Sequence, residues 1–171
     1  MAKRRSALKL FLDSSVLFTA VNSSFGGSAK LFTLKSVELH VSKVVLHEVE
    51  KNVGKKLGEM YLERFLRLVE KLIITHELPS LKQIERAKRV IVEKNSVILS
   101  EFKSSDCSHL ITLDKRDFLQ DKVVEYVKPK KIWTSKMLFI FLDRIFKTIL
   151  FFRGLTLDGR IEVMSRLKFN K

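Results

Sequence analysis

Residues Leu8 to Leu12 form a short apolar-rich run that stops at Asp13, and about a hundred residues later Leu110 to Leu113 ends in the same way at Asp114. A hydrophobic segment closed by a carboxylate is how a strand buried on both faces delivers an acid to the carboxyl edge of a parallel sheet. This pattern limits the fold more than any other feature, because parallel neighbours need crossover connections and the intervening chain must therefore supply helices.

The intervening chain does so. Ser14 or Ser15 caps a helix through about Asn22, and a break at Ser23 to Ser28, with Gly26 and Gly27, precedes another short helix. Val37 to Val41 reads as the second strand. From Ser42, Val45, Val49, Val53 and Leu57 recur at four-residue steps, and after Gly58 so do Tyr61, Phe65, Leu68 and Leu72, which predicts a helical hairpin. Leu72 to Thr75 is the third strand, Ser80 to Glu93 and Asn95 to Lys103 are helices, and His109 to Leu113 is a strand. Val123 to Val127 and Lys131 to Thr134 read as extended. The series predicts a three-layer α/β/α sandwich with a mainly parallel central sheet, followed by a C-terminal helix and tail. Residues 1–152 form one domain that includes this helix. Residues 153–171 are a basic tail, for which a hairpin about Asp158-Gly159-Arg160 and a helix through Met164 and Leu167 compete.

Charge narrows the partners. Lys and Arg number 33 against 19 Asp and Glu, giving +14, of which +7 lies between Lys130 and Lys171. Such an excess favours a polyanion, RNA first and an anionic membrane surface second. In Ser135 to Phe152, Leu138, Leu142, Ile145, Ile149 and Phe152 make a stripe that suits packing on the sheet. Phe139, Phe141, Phe146 and Phe151 around it suggest a homodimer or another protein partner. Asp143, Arg144 and Lys147 interrupt this stretch, so it falls short of a membrane span. The apolar run after Lys3, Arg4 and Arg5 is too short for a secretory signal, and a single cysteine, Cys107, excludes an internal disulfide, so a soluble cytoplasmic protein is expected. Cys107 and His109 lack a third orienting group and read as structural. His40, His47, His76 and His109 show no paired spacing, so no zinc site is expected, and no Gly-Lys-Ser or Gly-Lys-Thr follows Gly26 and Gly27 to cradle a nucleotide.

Four acids converge on one edge in this topology. Asp13 and Asp114 end neighbouring strands, Asp117 lies three residues beyond Asp114, and Glu48 is about one turn into the helix after the second strand. An acid at a strand end is often only a helix cap. Several sharing an edge are what Mg²⁺ or Mn²⁺ needs for phosphodiester hydrolysis, since both ions take oxygen ligands.

The strand ending in Asp13-Ser14-Ser15, Leu-His-Glu-Val-Glu at 46 to 50, Asn-Ser-Val-Ile-Leu-Ser at 95 to 100 and Leu-Ile-Thr-Leu-Asp-Lys-Arg-Asp-Phe-Leu at 110 to 119 together resemble a PIN domain over residues 8 to 142. The last motif is the most specific. The resemblance implies an acidic cluster that binds Mg²⁺ or Mn²⁺ and cleaves RNA, as in PIN toxins paired with antitoxins and in RNA-processing nucleases. It makes Asp13 the first acid, Glu48 the second, Asn95 the third position, Asp114 the fourth acid and Asp117 an accessory acid, with Ser14 and Thr112 as flanking hydroxyls. Asn95 departs from the pattern, since an amide brings no negative charge. The departure is compatible with a natural variant, a loss of activity or an engineered change. The expected function is a metal-dependent endoribonuclease. The alternatives are a catalytically weakened PIN-like RNA-binding or assembly module, and a toxin whose antitoxin packs on the phenylalanine-rich C-terminal helix.

Overall fold

The computed structural model describes residues 7–76 and 78–152. The chain divides into two compact units, one through Ser135 and one from Lys136. The alternatives for residues 153–171 lie outside the described residues.

Five parallel strands build the first unit. They are β1 (Leu8–Leu12), β2 (Val37–Ser42), β3 (Ile73–Thr75), β4 (His109–Ile111) and β5 (Lys131–Trp133), in the spatial order β3-β2-β1-β4-β5. The helices are α1 (Ser14–Asn22), α2 (Gly27–Leu31), α3 (Lys43–Lys56), α4 (Glu59–Val69), α5 (Leu81–Lys88), α6 (Glu93–Ser104), α7 (Lys115–Phe118) and α8 (Asp121–Val127). From β1 the chain steps outward to β2 and β3, then crosses back to β4 and outward to β5. Right-handed crossovers therefore put α1 to α4 on one face and α5 to α8 on the other, the expected three-layer α/β/α arrangement. The direction of winding reverses between β1 and β4, which is where an open α/β sheet forms its crevice.

The central strands β1 and β4 are buried on both faces. Leu10, Phe11, Leu12, Leu110 and Ile111 have no exposed surface, and each is worth about 1.5–3 kcal/mol of apolar burial. The Phe11 and Phe102 rings lie 5.9 Å apart and seat α6 on the sheet. On the opposite face Val16, Leu17, Ala20 and Val21 of α1 and Val45, Val49 and Val53 of α3 are the buried stripes that their spacing predicts. The α3 and α4 helices pack on each other, and Arg64 of α4 donates from Nε (3.1 Å) and Nη2 (2.8 Å) to the Ala20 carbonyl in the last turn of α1.

Val123 to Val127 is helical, not extended. The buried pair Val123 and Val127 is spaced for one helix face, and the Gln120 carbonyl accepts from the amides of Val123 and Val124. Tertiary burial at four-residue spacing outweighs the strand preference of its β-branched residues. In the second unit, α9 (Ser135–Phe152) carries an Asp143–Lys147 ion pair at 2.7 Å, and Met137, Ile140 and Ile145 are partly exposed. No helix among the described residues is long and apolar enough to cross a membrane.

Two buried ionisable groups leave a pH signature. Glu101 of α6 is 3% exposed, its Oε2 has no hydrogen-bond partner among the described residues, and burial raises its pKa against the opposing effect of the Ser42 hydroxyl. Glu101→Gln is expected to raise the melting temperature at pH 7, because it removes a buried charge while keeping the shape; a lower value would contradict this account. Burial, reinforced by Lys131, pushes His109 down to about 4. His109 is thus neutral in the folded chain but protonates near pH 6.5 when unfolded, so its contribution is lost as pH falls from about 6.5 to 4, on the order of 2–3 kcal/mol. Glu101 acts in the opposite sense, and the difference between wild type and His109→Gln in urea unfolding isolates the histidine. Parallel stability profiles between pH 4 and 7 would refute the assignment.

Candidate active site

Asp13 directly follows β1, and its amide donates to the Ile111 carbonyl at 3.0 Å, extending the β1–β4 ladder to the edge of the sheet. Its carboxylate caps α1. Ser15 N donates to Oδ2 at 3.4 Å, and the Ser15 hydroxyl makes a shorter bond to the same oxygen. The Thr112 hydroxyl also donates to Oδ2, at 2.8 Å, while the Asp114 amide donates to that hydroxyl at 3.0 Å. Ser15 Oγ in turn accepts from Leu113 N at 3.0 Å. Hydroxyls from both strand ends thus tie Asp13 to Asp114 across the point where the winding reverses.

Asp114 is half-buried and caps α7, its Oδ1 accepting from Asp117 N at 3.1 Å. Asp117 is buried under a separate set of partners. Asn95 Nδ2 donates to its Oδ2 at 3.1 Å, Lys94 Nζ lies 3.4 Å from that oxygen, and Arg116 Nε donates to Oδ1 at 3.2 Å. Burial pushes this carboxyl up, but Arg116 and Lys94 together outweigh it and hold it below the usual carboxylate range. The amide at position 95 therefore works as a donor to a neighbouring acid.

Glu48 stands apart from this network. It is the sixth residue of α3, in the second turn, exposed beside the buried Val49, and no bond among the described residues joins it to Asp13, Asp114 or Asp117. Ser14 makes only a long contact, 3.4 Å from its Oγ to Asp13 Oδ1.

Uncommitted oxygens decide whether a divalent ion fits here. Among the described residues Asp13 Oδ1 has that long contact alone and Asp114 accepts through one oxygen, so this pair offers hard donors of the kind that Mg²⁺ or Mn²⁺ takes. Both Asp117 oxygens are already committed to cationic and amide donors. Among the described residues no three of the four predicted acids bring their donor oxygens within 4.8 Å of one another. Asp13 and Asp114 carry the uncommitted oxygens, and the wider carboxylate cage is not closed.

Sequence reasoning missed Ser15, Lys94 and Arg116. The Ser-Ser pair after Asp13 signalled a cap without saying which hydroxyl would bridge the strands, and nothing local signals that Lys94 and Arg116 meet at one acid. Thr112→Val is expected to cost about 1–3 kcal/mol in urea unfolding, since it strips a buried bond from Asp13 and leaves the Asp114 amide without its acceptor. An unchanged midpoint would remove Thr112 from this role.

No protein-family model and no curated protein matches the chain. Among solved structures it is similar to DNA-bound VapBC from Salmonella typhimurium, at 14% identity over 75% of this chain and 98% of that one, with a TM-score of 0.60. It is also similar to VapBC2 from Rickettsia felis bound to a promoter DNA fragment, at 15% identity over 74% and 98%, with a TM-score of 0.58. A third is PAE2754 from Pyrobaculum aerophilum, at 15% identity over 81% and 98%, with a TM-score of 0.57. At such identities the likeness is one of fold, and with the strand order and the carboxylates at the sheet edge it gives the conclusion that this chain has the PIN-domain fold.

Proposed function

We propose that the chain is a PIN-type endoribonuclease that hydrolyses RNA phosphodiester bonds with Mg²⁺ or Mn²⁺ held by Asp13 and Asp114. The observation behind this reading is the hydroxyl bridge that joins the two carboxylates at the reversal of the sheet. When bound, the ion would lower the pKa of a water and neutralise charge on the scissile phosphate. The protein's own residues do the rest. Ser15 and Thr112 hold Asp13 with one oxygen turned away from their bonds, and Asp114 is aimed by the α7 amide that it caps. Lys94 and Arg116, whose side chains are 65% and 84% exposed, stand where an RNA backbone approaching Asp117 would meet them. Glu48 belongs to the reading as the second acid, on the sequence resemblance alone.

A second reading rests on the Asn95–Asp117 bond. An acid neutralised by an amide, a lysine and an arginine has little need of a metal, which favours an RNA-binding module whose nuclease has weakened. Asn95→Asp would set a carboxylate against Asp117 at the present 3.1 Å and create local repulsion that a cation relieves.

A protein partner belongs to either reading. The solved structures similar to this chain include VapBC complexes, and Met137, Ile140 and Ile145 on α9 are apolar side chains that an antitoxin helix or a second copy would cover. RNA and a protein partner are therefore both expected, with no membrane-spanning helix among the described residues.

The deciding experiment is cleavage of end-labelled single-stranded and structured RNA with Mn²⁺, Mg²⁺ or chelator. Wild type is expected to cleave with metal only, and Asp13→Asn to lose at least 100-fold of that rate while keeping its fold. Cleavage that appears only in Asn95→Asp would establish the second reading. Equal, metal-independent products from wild type and Asp13→Asn would sink both.

A further inference from the structure

The amino-terminal end of the sheet gathers a different set of ligating atoms. The parallel register places Lys9 of β1 opposite Glu38 of β2, and Phe11 opposite His40, so Lys9, Glu38 and His40 share one face. The segment entering β4 is held at the same level, because Ser108 N donates to the Lys9 carbonyl at 3.1 Å. Asp106 and Cys107 therefore stand beside His40, and one donor atom from each of the three lies within 4.8 Å of the others. His40 and Cys107 are buried, while Asp106 is 58% exposed and leaves an approach from solvent.

The Lys9 ammonium is ion-paired with Asp106, and an incoming ion has to displace it. A further observation points to a metal. Glu38 Oε2 lies 3.4 Å from His40 Nε2. A carboxylate on one ring nitrogen is the usual companion of a metal-ligating imidazole, and in the tautomer that donates Nε2–H to Glu38 it leaves the Nδ1 lone pair for the ion.

We infer that His40, Asp106 and Cys107 form a binding site for a borderline-soft divalent transition ion of the zinc class, with Lys9 as the cation that the metal displaces. One nitrogen, one oxygen and one sulfur donor select zinc or cobalt over magnesium, and three protein ligands leave a fourth position for water. The Cys107 S–H proton passes to solvent as the sulfur–metal bond forms, and the Lys9 ammonium moves out to water. The site is separate from the proposed nuclease centre: along β1 the level of His40, paired with Phe11, lies two residues before Asp13 and that of Lys9 four, roughly 7 and 13 Å at the rise of a strand. A bound ion would tie β2 to the lead into β4.

Titration of the full metal-free chain with Co²⁺ tests this. Because Cys107 is the sole cysteine, a thiolate-to-cobalt charge-transfer band reports this site alone. One equivalent of Co²⁺ is expected to give that band with intense tetrahedral d–d absorption, and Zn²⁺ should abolish both by displacement. Asp13→Asn should leave the spectrum intact, which separates this site from the nuclease reading. Cys107→Ser should erase the charge-transfer band, Asp106→Asn should weaken binding by at least 10-fold, and Lys9→Met should tighten it by about 10-fold. A weak oxygen-only spectrum from wild type, or an Asp106→Asn variant that binds as wild type does, would overturn the proposal.

Discussion

The hydrogen bond from the Thr112 hydroxyl to Asp13 joins everything that positions this molecule's chemistry. It spans β1 and β4, the one adjacent pair of strands between which the chain reverses its winding, and it ends on the carboxylate that also starts α1. Bonds to an ionised acceptor are shorter and stronger than neutral ones, so a single buried charge organises a strand end, a helix start and the turn into α7. The arrangement restrains Asp13 from several directions without using all of its lone pairs. That combination, fixed geometry with ligating capacity left over, distinguishes a poised carboxylate from one that merely caps.

The chain's acids are also met by its own bases. Asp117 is held by Lys94 and Arg116, and Asp106 by Lys9. In a protein of net charge +14 this has a physical logic, since basic side chains far outnumber acidic ones. The same side chains would compete with any exogenous cation at these two acids. Asn95 adds to this balance by removing a negative charge where Asp117 already has enough partners.

Much of the fold is legible from residue pattern, and for a definite reason. Apolar runs that stop at Asp13 and Asp114 imply parallel strands, parallel strands imply crossovers, and the four-residue stripes of Val45, Val49 and Val53 supply them. The α8 segment is not legible in this way, because Val123 and Val124 favour a strand locally and only burial of Val123 with Val127 decides for a helix. The site is less legible than the sheet. The adjacency of Asp13 and Asp114 follows from strand order, but the surroundings of Asp117 come from α6 meeting α7, which no spacing encodes. The trio of His40, Asp106 and Cys107 escapes a search for paired histidine spacing because it is assembled by the register of β1 and β2 and by a loop some sixty residues away in sequence.

Arg64 gives the architecture a mechanical property. By donating twice to the Ala20 carbonyl it satisfies the open end of α1 from a neighbouring helix, while Asp13 secures the other end. This nine-residue helix is thereby capped at both ends. In hydrogen exchange, opening of the last turn of α1 would therefore be coupled to detachment of Arg64 and of the helix that carries it.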